Sequence, residues 1–321
     1  MMMNNITVAA ALLRQGKLVA FPTETVYGLG ADASNAVAVS RIFQVKKRPD
    51  DHPLIVHISD ISELEKWARD IPPMAFKLAQ AFWPGPLSII LKKQPHVLDI
   101  VTAGQRTVGL RIPRHPVAMA LLKEFGSGIA APSANLFTHV SPTTTEAVRA
   151  ELGKEVDLIL EGGACEVGLE STIIDLSHDV PIILRPGMIT PNEISAQLGQ
   201  SVSMIQQDTP FVRVPGRHHL HYAPTTKTVI LNTQQINEFL RTIQPHHLPL
   251  AIMRYTGTEN KRSMMKVIPM PNNATQYAHD LYQTLRLLDT GQFKQIIIEA
   301  VPMTEEWGAI RDRLFKASGS L

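Results

Sequence analysis

Short apolar runs alternate with amphipathic helical patterns along the first two-thirds of the chain. Eight runs rich in β-branched residues predict strands, at 18–23, 53–58, 87–92, 107–113, 128–133, 157–162, 171–176 and 181–186. Apolar positions at helical spacing predict helices at 35–46, 60–69, 72–82, 115–125, 143–152 and 191–198. Strands interleaved with helices favour an α/β sheet covered by helices. The later strands follow one another with little helix between them, which favours a mixed sheet.

The pattern breaks between 200 and 226 and then resumes. This segment holds three prolines and the histidines His218, His219 and His221, without sustained periodicity. Their spacing in a proline-rich stretch is poor for a tetrahedral metal site, so we predict none. Strand-like and helix-like runs then alternate again. We predict a first domain at 1–207, a linker or lid at 208–226, and a smaller α/β domain at 227–321.

Composition and charge exclude several classes of protein. Among 321 residues, 31 are Lys or Arg and 29 are Asp or Glu, so the chain lacks the basic field of a DNA-coating protein. The single Cys165 can form neither an internal disulfide nor a cysteine-rich zinc site, and we interpret it as incidental. The N-terminal apolar run predicts an amphipathic helix rather than a signal peptide, and no stretch has the length of a membrane span. We expect a soluble, cytoplasmic protein without membrane contact.

The first candidate for chemistry is the sequence PTETVYGLG at 22–30, which follows a predicted strand. Hydroxyl groups at the carboxyl end of a strand lie where open α/β sheets bind ligands. Alternatively, the segment is a turn whose glycines only supply unusual backbone angles. It matches neither the phosphate-binding pattern GxxxxGK[ST] nor GxGxxG.

Two further candidates are basic. Residues 41–48 carry four positive charges and no acid, and Pro49 and Pro53 keep the following loop extended. Such a loop suits phosphate, or is a solvated charge run at a helix end. Arg111 lies inside an apolar strand and needs an anionic partner, since an unpaired buried charge is costly. A structural salt bridge and a ligand carboxylate are both open.

Taken together, the motifs resemble the YrdC-like family. They occur in the family's order: PTETVYGLG, KKRPDDHPLIVH, WPGPLSIIL, TVGLRIPRHP, APSAN, SPT, GLESTIID and LRPG. The tail introduced by PGRHHLHYAP resembles that of the longer, two-domain Sua-type members, the threonylcarbamoyl-adenylate synthases. The resemblance implies a twisted mixed sheet with covering helices and a smaller Rossmann-like α/β domain at the C-terminus.

The resemblance also implies an activity. Such enzymes join L-threonine, bicarbonate or carbon dioxide, and ATP into threonylcarbamoyl-AMP, and release pyrophosphate. The adenylate supplies threonylcarbamoyladenosine modification beside the anticodon of tRNA, which a separate transfer complex completes. Mg²⁺ is expected with the ATP phosphates.

Site residues follow from the resemblance, position by position. The set expected to bind L-threonine is Thr25, His57, Arg111, the backbone near Ala131, and Ser171. The set expected to bind ATP is Arg48, His52, Thr107, Ser133, Ser141, Arg185 and Tyr222. Lys46 is expected beside the phosphates and, with Arg48, forms the catalytic pair. The chain departs from the family at His52, where the family usually has Asn.

Two alternatives remain at this stage. A basic cleft also suits a double-stranded RNA or tRNA backbone, so the chain could be an RNA-binding module without catalysis. A set of threonine ligands argues against that as the sole function. A carbamoyltransferase of hydrogenase maturation also contains a YrdC-like domain, but one cysteine excludes its zinc motifs.

Overall fold

The computed structural model describes residues 2–205, 212–216, 222–256 and 264–319. They divide into two compact units. The first comprises Met1–Phe137, Pro142–Glu166 and Glu170–Arg217, and the second comprises Thr138–Ser141, Val167–Leu169 and His218–Leu321. The second unit therefore includes two short segments from the middle of the chain.

The first unit is a ten-stranded mixed sheet with helices. Its helices are α1 (Met2–Arg14), α2 (Ala36–Lys46), α3 (Leu64–Trp67), α4 (Pro73–Phe82), α5 (Asp99–Thr102), α6 (Pro116–Phe125), α7 (Thr145–Glu151) and α8 (Pro191–Leu198). Its strands are β1 (Val19–Phe21), β2 (Gly28–Asp32), β3 (Ile55–His57), β4 (Leu87–Lys92), β5 (Thr107–Arg111), β6 (Ile129–Ala130), β7 (Leu158–Ile159), β8 (Thr172–Asp175), β9 (Ile182–Arg185) and β10 (Ser203–Met204). The strand order is β10-β9-β8-β4-β5-β3-β6-β2-β1-β7, with both parallel and antiparallel neighbours. The predicted mixed α/β sheet is confirmed.

Local sequence signals explain most helix boundaries. Asn35 caps α2 by accepting the backbone N–H groups of Val37 and Ala38. Helix α8 starts with a capping box in which the side chains of Thr190 and Glu193 satisfy each other's backbone. The predicted helix at 60–69 is broken instead. A 3₁₀ turn leads into the short α3, which ends because Ala68 is extended and bridges to β-structure.

Strand β2 corrects the turn interpretation of residues 22–30. Gly28 and Gly30 lie in β2, and neither has a positive φ. A Cβ atom on Gly30 would come within 2.8 Å of the Phe21 ring and 2.9 Å of Ile129. These glycines therefore allow close packing around β2 rather than an unusual backbone angle.

The second unit contains a four-stranded parallel sheet. Its elements are β11 (Thr228–Leu231), α9 (Thr233–Thr242), β12 (Leu250–Arg254), β13 (Met265–Pro269), α10 (Ala274–Leu288), β14 (Gln295–Glu299) and α11 (Gly308–Ser318). The strand order is β11-β14-β12-β13, and every neighbouring pair is parallel. This agrees with the smaller α/β domain expected in the tail.

A buried carboxylate lies at the carboxyl edge of this parallel sheet. Glu299 ends the interior strand β14, has no solvent exposure, and accepts hydrogen bonds from the hydroxyl of Thr233 at 2.7 Å and from that of Thr256. The backbone N–H groups of Tyr255 and Thr256 donate to its other oxygen at 3.0 and 2.9 Å. Burial raises the pKa of Glu299, but these hydrogen bonds lower it by more. Glu299 is therefore an anion that binds the loop after β12.

Candidate functional site

The segment between β1 and β2 forms a buried network of hydroxyl groups. The Oγ1 atoms of Thr23 and Thr25 lie 2.9 Å apart, and the Thr23 hydroxyl also bonds the carbonyl of Val26 at 2.6 Å. The backbone N–H groups of Thr25 and Val26 donate to Thr23 Oγ1. Both threonines are buried. The Thr25 hydroxyl is thus held in one place before any ligand arrives.

Arg111 ends β5 and is held by three partners within the first unit. Its Nη1 donates to Thr25 Oγ1 at 2.9 Å, and its Nε donates to the carbonyl of Gly85 at 3.2 Å. Its Nη2 lies 2.7 Å from a carboxylate oxygen of Glu24, and both side chains are buried. The sequence left a salt bridge and a ligand carboxylate open for Arg111. The salt bridge exists, and its partner is Glu24.

His57 is the register partner of Arg111 on the parallel strand β3. The ring is buried, and its Nδ1 has no hydrogen-bond partner among the described residues. Burial, with the nearby charge of Arg111, lowers the pKa of His57 from 6.5 to about 3. The imidazole is therefore neutral at physiological pH.

Ser171 lies just before β8 and is bound by Arg185, the last residue of β9. Arg185 donates from Nε and Nη2 to the Ser171 carbonyl, at 3.1 and 2.9 Å, and from Nη2 to its hydroxyl at 3.1 Å. The Ser171 hydroxyl also lies 2.8 Å from that of Ser88. A Cβ on Gly187 would come within 2.2 Å of the N–H of Thr172, so only glycine fits there. The last member of the threonine set, Ala131, donates its N–H to the carbonyl of Ile55.

Lys46 ends α2 and reaches across to the loop after β6. Its ammonium donates to the carbonyls of Ser133, at 2.6 Å, and Asn135. Its own carbonyl accepts the N–H of Phe137. Burial, together with the charge of Arg48, holds the pKa of Lys46 well below its usual range. Lys46 thereby fixes the loop that carries Ser133.

Arg48 and His52 lie next to the same aromatic ring. The guanidinium of Arg48 is 5.9 Å from the ring centroid of Phe137, and its Nη2 donates to the carbonyl of Pro53 at 3.1 Å. The ring of His52 lies 5.2 Å from that of Phe137. Arg48 is buried, whereas Lys47 of the same loop is exposed. The solvated-charge interpretation therefore describes Lys47 but not its neighbours on either side.

The described part of the linker packs on the sheet of the first unit. Val214 is buried in an apolar cluster with Ile55, Ile90, Ile173 and Leu184. Residues 212–215 line one groove with Thr107, a member of the ATP set.

Hydrogen bonds to Gln105 and Arg185 hold this segment. The N–H of Arg213 donates to the side chain of Gln105 at 2.7 Å, and that side chain donates to the Arg213 carbonyl at 3.0 Å. Arg185 donates to the carbonyl of Pro215 at 3.2 Å. The same arginine thus contacts Ser171 and the linker.

Ser141 and Tyr222, both in the ATP set, belong to the second unit. Both side chains are buried there. Tyr222 has a φ of 59°, an uncommon value for a bulky residue. Its ring stacks on Tyr282 with centroids 5.9 Å apart, and the guanidinium of Arg313 lies 4.9 Å from its centroid.

The remaining candidates are not assigned to chemistry. His218, His219 and His221 lie outside the described residues. Within the described ranges, no group of three or more His, Cys, Asp or Glu side chains could hold a metal ion. Burial raises the pKa of Cys165 to about 12, so its thiol is protonated and unreactive.

Sequence reasoning gave no binding role to two residues of its own candidate motifs, PTETVYGLG and APSAN, that the structure brings into the site. Glu24 was not assigned, although it is the carboxylate that pairs with Arg111. Asn135 was not assigned either, although it is buried and its carbonyl binds Lys46. A carboxylate between two hydroxyl residues in PTET was a signal for Glu24. The sequence carried no comparable signal for the contact between Asn135 and Lys46.

Two family profiles cover most of the chain. The profile described as telomere recombination (Sua5_yciO_yrdC) matches residues 11–187. The profile described as threonylcarbamoyl-AMP synthase, C-terminal domain (Sua5_C) matches residues 189–319. The mixed sheet with its buried polar site thus corresponds to the first profile, and the parallel sheet corresponds to the second.

Whole relatives match as well. The chain is 41% identical to the threonylcarbamoyl-AMP synthase of Bacillus subtilis, over 98% of this chain and 93% of that protein. It is 36% identical to the threonylcarbamoyl-AMP synthase of Pyrococcus abyssi, over 98% and 94%. The crystal structure of P. abyssi Sua5 complexed with L-threonine matches with a TM-score of 0.90 and 36% identity, over 98% of this chain and 94% of that one. The chain belongs to the threonylcarbamoyl-AMP synthase family, and the resemblance seen in the sequence is confirmed.

Among the residues that the structure describes, no helix is long and apolar enough to cross a membrane.

The low pKa of His57 makes a prediction about proton binding. We expect its imidazole signals not to titrate between pH 5 and pH 8, measured by NMR, because the ring stays neutral in the folded chain. The unfolded chain binds this proton below about pH 6.5. Stability contributed by the neutral ring is therefore present above pH 6.5 and lost as the pH falls, at about 1.4 kcal/mol per pH unit.

The exposed His178 supplies the reference signal in the same spectra. A midpoint near 6.5 for His57 would contradict the assignment of a buried, neutral ring.

Proposed function

We propose that the chain catalyses the synthesis of L-threonylcarbamoyl-AMP from L-threonine, bicarbonate or carbon dioxide, and ATP, with release of pyrophosphate. The observation that carries this proposal is the buried network in which Arg111, Thr25 and Glu24 contact one another beside the neutral His57. This network contains a cation, hydroxyl groups and an imidazole, which are groups that bind a small polar amino acid. The family relationship supplies the substrate names.

The proposed site residues divide into two groups. L-threonine binds to Thr25, His57, Arg111, the backbone at Ala131, and Ser171. ATP binds to Arg48, His52, Thr107, Ser133, Ser141, Arg185 and Tyr222, with Lys46 and Arg48 as the catalytic pair. Lys46 acts mainly by holding the carbonyls of Ser133 and Asn135, which fixes one wall of the nucleotide site.

The reaction needs positioning and charge stabilisation more than a protein nucleophile. The neutral threonine amine first adds to carbon dioxide and gives its proton to water, or reacts with bicarbonate and releases water. An oxygen of the resulting carbamate then attacks the α-phosphorus of ATP. Pyrophosphate leaves from the same phosphorus. Fixed cations and hydrogen-bond donors stabilise the charge that develops during such a transfer. Cys165 takes no part, because its buried thiol stays protonated.

Magnesium enters this proposal with the nucleotide. The described residues offer no cluster of carboxylate or imidazole ligands that would form a resident metal site. The hydroxyls and cations of the pocket suit phosphate oxygens better than a divalent cation. Mg²⁺ is therefore part of the MgATP substrate, bound by phosphates and water.

The product defines the expected partner. Threonylcarbamoyl-AMP is an activated donor, so we expect a separate tRNA threonylcarbamoyl-transfer complex to consume it in the cytoplasm. Direct RNA contact is not needed for this reaction. The RNA-binding alternative gives no role to the buried network around Arg111, because a nucleic-acid backbone is bound by cations at a protein surface.

Amino-acid dependence tests the proposed function. With ATP and bicarbonate, we expect pyrophosphate release to require L-threonine, and mass spectrometry to detect the threonylcarbamoyl adenylate. L-valine should react at least about 100-fold less efficiently, because it leaves the hydroxyl-binding groups unpaired. L-serine, which lacks the methyl group, should be intermediate or poor. Adenylate formation from valine as readily as from threonine would refute the proposal.

Arg48 tests the nucleotide assignment. We expect Arg48→Ala to raise the KM for ATP more than about tenfold, since a charge-assisted hydrogen bond contributes roughly 1.5–3 kcal/mol. The KM for threonine should change little, and circular dichroism should confirm that the variant folds. Arg69→Ala removes an exposed arginine and is the matched control. A folded Arg48→Ala with unchanged turnover at subsaturating ATP would remove Arg48 from the site.

We further propose that the chain is organised as a catalytic domain at 1–207, a lid at 208–226 and a C-terminal α/β domain at 227–321. Val214, Arg213 and Pro215 support the lid, because they contact the groove that Thr107 also lines. A lid protects a labile carbamate and adenylate from water.

Limited trypsin digestion of the full chain tests the lid through the bond after Arg213. We expect ATP and threonine together to slow this cleavage, and Gln105→Ala to accelerate it in the absence of ligands. Gln94→Ala is the control, since its side chain bonds Glu65 and Ala68 instead. Deletion of all residues after 207 should lower activity. Equal cleavage with and without ligands, together with full activity of the shortened chain, would leave only a passive spacer.

A further inference from the structure

Glu24 is a buried acid next to the proposed threonine ligands, and no role has so far been given to it. Its side chain is 2% exposed, and that of its partner Arg111 is 6% exposed. Both belong to the first unit, on the β1–β2 segment and at the end of β5 respectively. A buried ion pair is an uncertain source of stability, because desolvation offsets much of the attraction. Because this pair lies next to the proposed threonine ligands, a role in binding is the better explanation for it.

The two charged groups keep unused bonding capacity. An arginine has five N–H groups, and hydrogen bonds within the described residues engage two of those on Arg111, through Gly85 and Thr25. Nη2 lies 2.7 Å from Oε1 of Glu24 but makes no hydrogen bond there, so both terminal nitrogens keep N–H groups for the two oxygens of a carboxylate. A carboxylate accepts about four hydrogen bonds. Within the described residues, Oε2 of Glu24 accepts the N–H of Arg114 at 3.0 Å, whereas Oε1 has no hydrogen-bond partner.

The spacing of these charges suits one class of ligand. In an α-amino acid, the ammonium nitrogen and the carboxylate carbon are both bonded to the α-carbon, so opposite charges lie close together. The Glu24 carboxylate and the Arg111 guanidinium, 2.7 Å apart, present the complementary arrangement. The pair is neutral by itself, and a zwitterion adds no net charge to it. A simple carboxylate adds a negative charge that Glu24 repels.

We propose that Glu24 is a specificity-determining residue that receives the ammonium group of the amino acid, while Arg111 binds its carboxylate. This inference rests on the proposed function only in taking L-threonine as the ligand. The pocket selects an amino acid in its zwitterionic form over a carboxylate of the same shape. Thr25, whose hydroxyl is bound to Arg111, keeps the guanidinium in the orientation that this recognition needs.

Calorimetry with three ligands tests the inference without relying on turnover. The ligands are L-threonine, (R)-3-hydroxybutyrate, which lacks the ammonium group, and L-threoninamide, which lacks the carboxylate. For the wild-type chain, we expect threonine to bind at least about tenfold more tightly than either analogue. For Glu24→Gln, the ratio of threonine to hydroxybutyrate affinity should fall at least about tenfold, because the pocket then carries an unbalanced positive charge.

Glu166→Gln is the matched control. It removes the same charge from a carboxylate that is 71% exposed and paired with the side chain of Arg114. Its charge is screened by water, so the affinity ratio should stay at the wild-type value. Glu24→Asp keeps the charge and should retain most of the preference for threonine. ATP affinity should be unchanged in all three variants.

The outcomes separate this inference from the proposed function. An unchanged ratio in a folded Glu24→Gln variant overturns the role of Glu24 and leaves the proposed function intact. If circular dichroism shows that Glu24→Gln does not fold, the affinities of the wild-type chain for the three ligands test the inference instead. Hydroxybutyrate binding as tightly as threonine then overturns the inference. Failure of the wild-type chain to bind threonine at all overturns the proposed function as well.

Discussion

The first unit is organised around buried positive charges, which need bonding partners inside the protein. Lys46, Arg111 and Arg185 have almost no contact with water, and a buried charge without partners is costly. Each of these side chains therefore bonds to backbone carbonyls or hydroxyl groups from a different part of the chain. Lys46 ties α2 to the loop after β6, Arg111 ties β5 to the β1–β2 segment, and Arg185 ties β9 to the residue before β8. The sheet brings these segments together, and the cations hold their ends in register with one another.

The same contacts prepare the unit for polar ligands. Donors that are already fixed by protein partners lose little freedom when a substrate binds, which favours both affinity and catalysis by positioning. Arg185 extends this arrangement to the linker, because one guanidinium bonds both Ser171 and the carbonyl of Pro215. A shift of either segment therefore changes the bonding of the other. Residues 213 and 215 therefore belong to the polar network of the first unit.

Hydrophobic periodicity predicted those helices well whose ends are marked by residues in the local sequence. Helices α2, α6 and α8 lie within a residue of the predicted segments, since capping residues, prolines and glycines mark their ends. Strand β2 escaped prediction because glycines have low strand propensity, and the need for Gly30 arises from packing against the Phe21 ring and against Ile129, which is about 100 positions later in the sequence. Ordered motifs identified most of the proposed site residues, but not their partners. Nothing local to Arg111 reveals that Glu24, 87 positions earlier, is its counter-ion.

In the second unit, a side chain of the sheet itself lies where open parallel sheets usually bind a ligand. Open parallel sheets bind phosphates and other anions at the carboxyl ends of their strands, where backbone and hydroxyl donors converge. In this unit the carboxylate of Glu299 already takes the donors of Thr233, Tyr255 and Thr256. A phosphate-bearing compound approaching this edge would meet a like charge, and the donors of Thr233, Tyr255 and Thr256 are already taken. An inhibitor that mimics the adenylate should therefore bind to the first unit, and it should not bind at this edge of the parallel sheet.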